Sequence, residues 1–299
     1  MLRTILNTNG EDQVPEGFGK ERVDQVAYWN GAVGERWARL QGALDDAFAE
    51  LTAAALAAAD PRPGEAVLDI GCGTGATVLA LARRVGPSGS VLGVDISRPM
   101  LAVATERLRR AGEDRGRVLV ADAGQPVPGG PFDLAFSRFG VMFFDYPVDA
   151  LTTIRDGLAP DGRLAFACWQ PFAANPWFKV PTEALLALLP SAPTPTDPDA
   201  PGPFAFADPQ RVRSVLRQAG FGTVAIEPVT ASVPLGVVSD AVVMLSEVGP
   251  ASRAMAEASA DARPKLADGL RTALAPHAGP DGVVRLGGAI WVVTARRDP

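Results

Sequence analysis

The 299-residue chain is 47% hydrophobic and 21% charged with a formal net charge of −6, a balance suited to a globular protein with a sizeable core. It offers no basic face for nonspecific nucleic-acid binding. No apolar run is long enough to span a bilayer, and "MLRTILNTNGEDQ" lacks the apolar region of a secretory signal. The expectation is a cytoplasmic protein, monomer or homodimer, with Cys72 and Cys168 as buried thiols and no disulfide framework.

Residues 1–60 read as helical. "LDDAFAELTAAALAAAD" is made of strong helix formers, and Pro61 and Pro63 end it. A regular alternation then begins. "EAVLDIG" is a buried strand and "GATVLALARRVG" a helix stopped by Gly86 and Pro87. "SVLGVDI" is a second strand, followed by the helix "SRPMLAVATERLRRAG" with Ser97 as N-cap and Gly112 as stop. "RVLVADA" and "FDLAFSRFG" are the third and fourth strands. "PVDALTTIRDGLAPDG" is a helix and turn, and "GRLAFACWQ" is the fifth strand. Apolar strands alternating with amphipathic helices predict a doubly wound α/β domain, its parallel sheet covered on both faces and its ligand outside the carboxyl ends of the strands.

The pattern changes after Gln170. Residues 171–207 are rich in Pro and Phe and form one insertion, with "APTPTDPDAPGP" as a loop. Residues 208–236 return to the core, with Asp208 as cap, a stripe of Val212, Val215, Leu216 and Ala219, Gly220 as stop and then a sixth strand. Residues 237–283 are largely helical, and residues 284–299 carry the last strand. The two insertions are expected to cap the strand ends, over a core spanning 61–170.

The loop "GCGTG" follows the first strand and precedes a helix. Gly71, Gly73 and Ala76 fit a dinucleotide fingerprint, and Gly71, Gly73 and Gly75 fit G-x-G-x-G equally well. A phosphate would suit the helix N-terminus. However, Asp69, two residues before Gly71, would repel a pyrophosphate and suits an ammonium group. Asp95 ends the second strand, where a carboxylate can accept ribose hydroxyls. Asp122 ends the third, where it can accept from an exocyclic amine. Carboxylates at three successive strand ends, without clustered Arg or Lys, describe a nucleoside lacking phosphate. S-adenosyl-L-methionine (SAM) is such a ligand.

The segments "VLDIGCGTG", "GVDIS…ML", "ADA", "FDLAFSRFGVMFF" and "LAPDGRLAF", between Glu65 and Trp169, resemble the class I SAM-dependent methyltransferases of the UbiE/COQ5-like, methyltransferase type 11, group. The resemblance implies a Rossmann-like, seven-stranded sheet with an antiparallel last strand, at Ala289–Arg296. It implies that Gly71, Cys72, Gly73 and Gly75 line the methionine portion of SAM, with Asp69 near its amino group. Asp95 would then hold the ribose, Ile96 and Met100 the adenine face, and Asp122 and Ala123 the adenine edge, with Ser137 near the methyl. "AYWNGAVGERW" resembles the SAM-covering N-terminal segment of related enzymes, which makes Tyr28, Trp29 and Arg36 candidates and residues 1–60 a lid.

Methyl transfer from a sulfonium is an in-line displacement that asks mainly for positioning and desolvation. A base is needed only where the acceptor carries a proton at working pH. The lone histidine, His277, reads as a surface or C-capping residue, with a base reaching in from the lid as its alternative. Asp145 and Tyr146 are further weak candidates. No His or Cys cluster has metal-ligand spacing. Phe172, Trp177, Phe178, Phe204 and Phe206 read as cap core. Where they face the cleft, they suit a partly apolar or aromatic small-molecule acceptor, methylated on O or C, better than an acidic metabolite. The alternatives are a nicotinamide-dependent oxidoreductase, for which "SRFGVMFF" supplies no Tyr/Lys pair, and a non-catalytic SAM-binding protein.

Overall fold

A computed structural model of the chain describes residues 24–188, 200–249 and 251–297. The 1–23 part of the expected lid and most of the Pro-rich loop lie outside these residues. The described chain opens with four helices, α1 (Gln25–Asn30), α2 (Ala32–Arg39), α3 (Gln41–Ala47) and α4 (Ala49–Ala59). The alternation then follows as β1 (Ala66–Ile70), α5 (Ala76–Val85), β2 (Ser90–Asp95), α6 (Arg98–Ala111), β3 (Gly116–Val120), β4 (Phe132–Arg138), α7 (Pro147–Asp156) and β5 (Leu158–Trp169). After it come α8 (Pro176–Leu186), α9 (Pro209–Gln218), β6 (Phe221–Val237), α10 (Val238–Glu247), α11 (Ala251–Glu257), α12 (Ala262–Leu274) and β7 (Val283–Arg297).

The described strands form one seven-stranded sheet in the order β3-β2-β1-β4-β5-β7-β6. The first five in sequence run parallel, and β7 is antiparallel to both neighbours. Val67, Leu68 and Ile70 of β1 and Leu134, Ala135 and Phe136 of β4 are buried, as strands covered on both faces must be. Strand order reverses between β1 and β4, so the crevice outside their carboxyl ends is the topological switch point where ligands bind. Asp69 pairs in register with Phe136, which sets Gly71 beside Arg138.

The local signals act as expected. The Ser97 hydroxyl caps α6 at Met100 N, Gly112 closes it in the left-handed conformation, and Asp208 caps α9 at Gln210 N. Two expectations are corrected. "LAPDG" is not a free turn: Leu158 already pairs with Phe132, and a register shift follows before Arg163 meets Leu134. The last strand is longer than Ala289–Arg296. Its first half, Val283 to Gly288, pairs with β6 alone, and β5 joins only from Ile290. The result is a long β6–β7 hairpin with α10–α12 inserted at its tip.

Candidate active site

The β1–α5 loop is shaped by two close approaches. Gly71 has φ +66°, and a Cβ there would stand 2.8 Å from Gly140 Cα, so the loop and the end of β4 touch backbone to backbone. Gly75 has φ +83°, and its Cβ would stand 2.9 Å from Ala104 Cβ. It therefore serves the packing of α5 on α6 and does not reach the cavity. At Gly73 the nearest atom is Met100 Sδ at 3.8 Å, so that position faces open space.

The loop's hydrogen bonds show which of its N–H groups are already engaged. Gly71 N and Cys72 N both donate to Val94 O, Gly75 N donates to Cys72 O, and Gly73 N donates to Asp95 Oδ2 at 2.8 Å. These donors are engaged internally. An anion cradle needs free N–H groups aimed outward, and these four are not free.

The three strand-end carboxylates have different fates. Asp95 lies on the cavity wall, nearly buried, and its Oδ1 accepts from Ser97 N at 2.8 Å. Each of its oxygens already holds one backbone donor and retains a further lone pair for a hydroxyl. Asp122 is exposed on the rim and accepts from Gly124 N at 2.8 Å, forming an Asx turn beside buried Ala123. Asp69 does not reach the wall. It is fully buried, its Oδ2 accepts from Thr77 Oγ1 at 2.5 Å, and its Oδ1 has no partner.

Burial pushes the Asp69 carboxyl up to about 7, against the Thr77 hydrogen bond and Arg138, with Asp95 adding to the rise. The unfolded chain releases this proton near pH 4 and the folded chain near pH 7. This group's contribution to stability is therefore present at low pH and falls as pH rises through that window. Relative to wild type, Asp69→Asn is expected to gain stability by roughly 1.4 kcal/mol per pH unit between pH 4.5 and 6.5. Urea melts of both proteins across that range check this. A pH-independent difference would place the proton elsewhere.

The N-terminal helices dock on the β2–α6 corner. Asn30 donates from Nδ2 to Ile96 O at 2.9 Å and accepts from Arg98 N at 3.0 Å, while Ser97 Oγ donates to Trp29 O at 2.7 Å. A Cβ at Gly34 would lie 1.9 Å from Trp29 O, so only glycine fits there. The docking carries Tyr28, Trp29 and Trp37 to the cavity, with the Trp29 ring edge-on to Phe143. Arg36 stays off the wall.

At the far side Phe139, in the left-handed region at φ +66°, stacks on Trp169 with centroids 4.2 Å apart. Phe48 packs edge-on against Phe139, Trp169 and Trp177, and Phe178 joins Trp169 to Phe204. A non-glycine residue at positive φ is held there by the surrounding packing. Of the five cap aromatics, Trp177, Phe178 and Phe204 line the cavity; Phe172 and Phe206 do not. The cavity is continuous, about 1060 Å³, and runs from Gly71, Cys72 and Gly73 past Ile96, Met100 and Ala123 to this aromatic wall.

Ser137, expected near the methyl, is buried off the wall. Its hydroxyl donates to Ile70 O at 2.8 Å and accepts from Gly140 N at 3.2 Å, tying β4 to β1. Asp145 and Tyr146 line the rim, and Asp145 Oδ1 is buried without a partner. His277 is exposed, near the start of β7, and does not line the cavity. Asn30, Gly34, Arg138 and Phe139 were not singled out by the motifs. Among the described residues, no group of three or more His, Cys, Asp or Glu could hold a metal, and no helix is long and apolar enough to cross a membrane.

A doubly wound sheet with a glycine loop and acidic strand ends at its switch point is the architecture of α/β proteins that bind a nucleotide or nucleoside there. Residues 67–162 match the family model described as a methyltransferase domain. Nocamycin O-methyltransferase of Saccharothrix syringae is 34% identical over 54% of this chain and 61% of its own length. The ubiquinone/menaquinone biosynthesis C-methyltransferase UbiE of Burkholderia mallei is 36% identical over 39% of this chain and 49% of its own. The matches thus span less than two thirds of these curated relatives. The YcgJ protein of Bacillus subtilis shares the fold, with a TM-score of 0.54 at 18% identity over 84% of this chain and 99% of its own.

Proposed function

We propose that the chain moves the methyl group of SAM onto a small, partly apolar or aromatic acceptor, at oxygen or carbon, by in-line displacement. The single observation that carries this reading is the continuous cavity. It joins a glycine loop with internally engaged N–H groups to an aromatic wall. Similarity to O- and C-methyltransferases supports the choice of atoms.

In this reading the Gly71–Gly73 carbonyls face the methionine portion, Asp95 accepts the ribose hydroxyls, Ile96 and Met100 flank the adenine, and Asp122 and Ala123 meet its edge. SAM supplies a methyl group already activated on a sulfonium. The chain's part is to orient the acceptor and exclude water. Helices α1–α3 and the segments around α8, α10 and α11 serve as lids; their Tyr28, Trp29, Trp177 and Arg253 stand on the cavity wall. We place the enzyme in the cytoplasm, as a monomer or homodimer acting on a free small molecule.

Equilibrium binding of SAM and NADH tests the cofactor, and formation of S-adenosylhomocysteine (SAH) with a panel of phenolic and enolisable acceptors tests the turnover. NADH binding in place of SAM would favour an oxidoreductase. SAM binding with no acceptor turned over would favour a non-catalytic role. Where the acceptor carries a proton, Asp145 is better placed than His277 to take it. His277→Ala is expected to keep turnover within about threefold of wild type. A positioned base contributes about 10²–10⁴-fold, and a loss of that size on His277→Ala would assign the base to the lid instead.

A further inference from the structure

A cation without a counter-ion stands at the end of β4. Arg138 lines the cavity, and its Nη1 donates to Thr52 Oγ1 at 2.9 Å. Its Cζ lies 5.8 Å from the centre of the Phe48 ring. Among the described residues no carboxylate comes within ion-pair distance of it. Asp45 is paired with Arg107 at 2.6 Å, and Asp69 is held by Thr77. A guanidinium has five N–H donors in a fixed fork, and most of this fork is left over. Burial lowers the Arg138 pKa, with Asp45 and Asp69 opposing from a distance; a desolvated cation of this kind gains most from a direct anionic partner.

Trp177 also stands against the Phe48 ring. Trp177 is buried, its indole Nε1 has no partner, and its ring packs edge-on against Phe48 at 5.5 Å. Arg138 and Trp177 flank the same phenyl ring and both residues line the cavity, but the Trp177 Nε1 is enclosed by its packing, so the open fork belongs to Arg138. Planar, bidentate recognition of a carboxylate is what such a fork does best.

We propose that Arg138 anchors a carboxylate of a ligand in the cavity. The inference rests on the reading of this cavity as the methyltransferase site. Two ligands there can supply the group: the amino-acid end of the cofactor, or the acceptor itself. The second would turn the expected non-acidic acceptor into an aromatic acid.

Calorimetry on the full chain separates the sources. The first arm titrates SAH and its decarboxylated analogue, which lacks only the carboxylate, into wild type, Arg138→Gln and Trp177→Phe. The second arm titrates 2-naphthoate and the neutral 2-naphthamide in the presence of saturating SAH. If the cofactor is the source, Arg138→Gln weakens SAH about 10- to 100-fold and leaves the decarboxylated analogue unchanged. If the acceptor is the source, SAH is unaffected and naphthoate falls by a similar factor while naphthamide does not. Trp177→Phe, which removes an enclosed N–H, should leave both affinities near wild type. Arg138→Lys, which keeps the charge and loses the fork, should fall between wild type and Arg138→Gln, and it guards against a folding defect in the glutamine variant. The proposal is overturned if SAH affinity is the same in folded Arg138→Gln and wild type prefers naphthoate no more than naphthamide. Failure of wild type to bind SAH at all would instead count against the proposed function.

Discussion

Gly73→Leu is expected to abolish SAH binding, with a loss of at least about 100-fold, while the protein stays folded. The residue has φ +54°, and the only heavy atom within 4 Å of a Cβ built there is Met100 Sδ at 3.8 Å. A side chain at this position meets no backbone and extends into the cavity, where the amino-acid portion of the cofactor is placed. The left-handed backbone costs a non-glycine residue about 1–2 kcal/mol, so a modest fall in melting temperature accompanies the loss. Gly71→Ala should behave differently. Its Cβ meets the Gly140 backbone at 2.8 Å, so the β1 and β4 ends must separate, and stability and binding fall together. Calorimetry with SAH, alongside thermal melts of both variants, checks the contrast. Wild-type affinity in Gly73→Leu would mean that the loop does not face the ligand.

The second large effect is expected at the N-terminal clasp. Gly34→Val cannot keep Trp29 O where it is, because a Cβ at position 34 would lie 1.9 Å from it. Helix α1 must leave, taking Tyr28 and Trp29 off the cavity. Asn30→Ala is milder. It removes two hydrogen bonds to the β2–α6 corner, each contributing about 1 kcal/mol. SAH should dissociate about 10-fold faster from Asn30→Ala and faster still from Gly34→Val, with the core melting near the wild-type temperature. Stopped-flow fluorescence, reading Trp29 and Trp37, measures these rates. Unchanged dissociation in both variants would show that the segment is a fixed wall and no lid.

These two sites also show what the sequence made legible. The alternation from Glu65 to Trp169 could be read because each strand is an apolar run and each helix carries its own stop or cap, such as Ser97 and Gly112. The glycine loop and Asp95 could be read for the same local reason. Which way a strand-end residue points could not. Asp69 turns to Thr77, eight residues on, and Ser137 turns to Ile70 of the neighbouring strand; neither reaches the cavity. Gly75 has the spacing of a ligand loop, yet Ala104 on another helix explains it. Asn30 and Arg138 depend on partners 66 to 86 positions away and Gly34 on a tight corner, and no periodicity encodes those. The "GG" inside the last strand has a packing reason that only the structure shows: Gly288 stands where a Cβ would press on Val233 of β6 at 2.8 Å.

A crystal structure of the full chain with SAH bound tests the central claim most directly, that one cavity holds the cofactor at its glycine end and the acceptor at its aromatic end. The expected result is SAH with its homocysteine portion against Gly71–Gly73, its ribose hydroxyls on Asp95, its adenine between Ile96 and Met100, and its sulfur facing the space bounded by Phe139, Trp169 and Trp177. SAH bound outside this cavity, or with its sulfur turned away from the aromatic wall, would contradict the assignment.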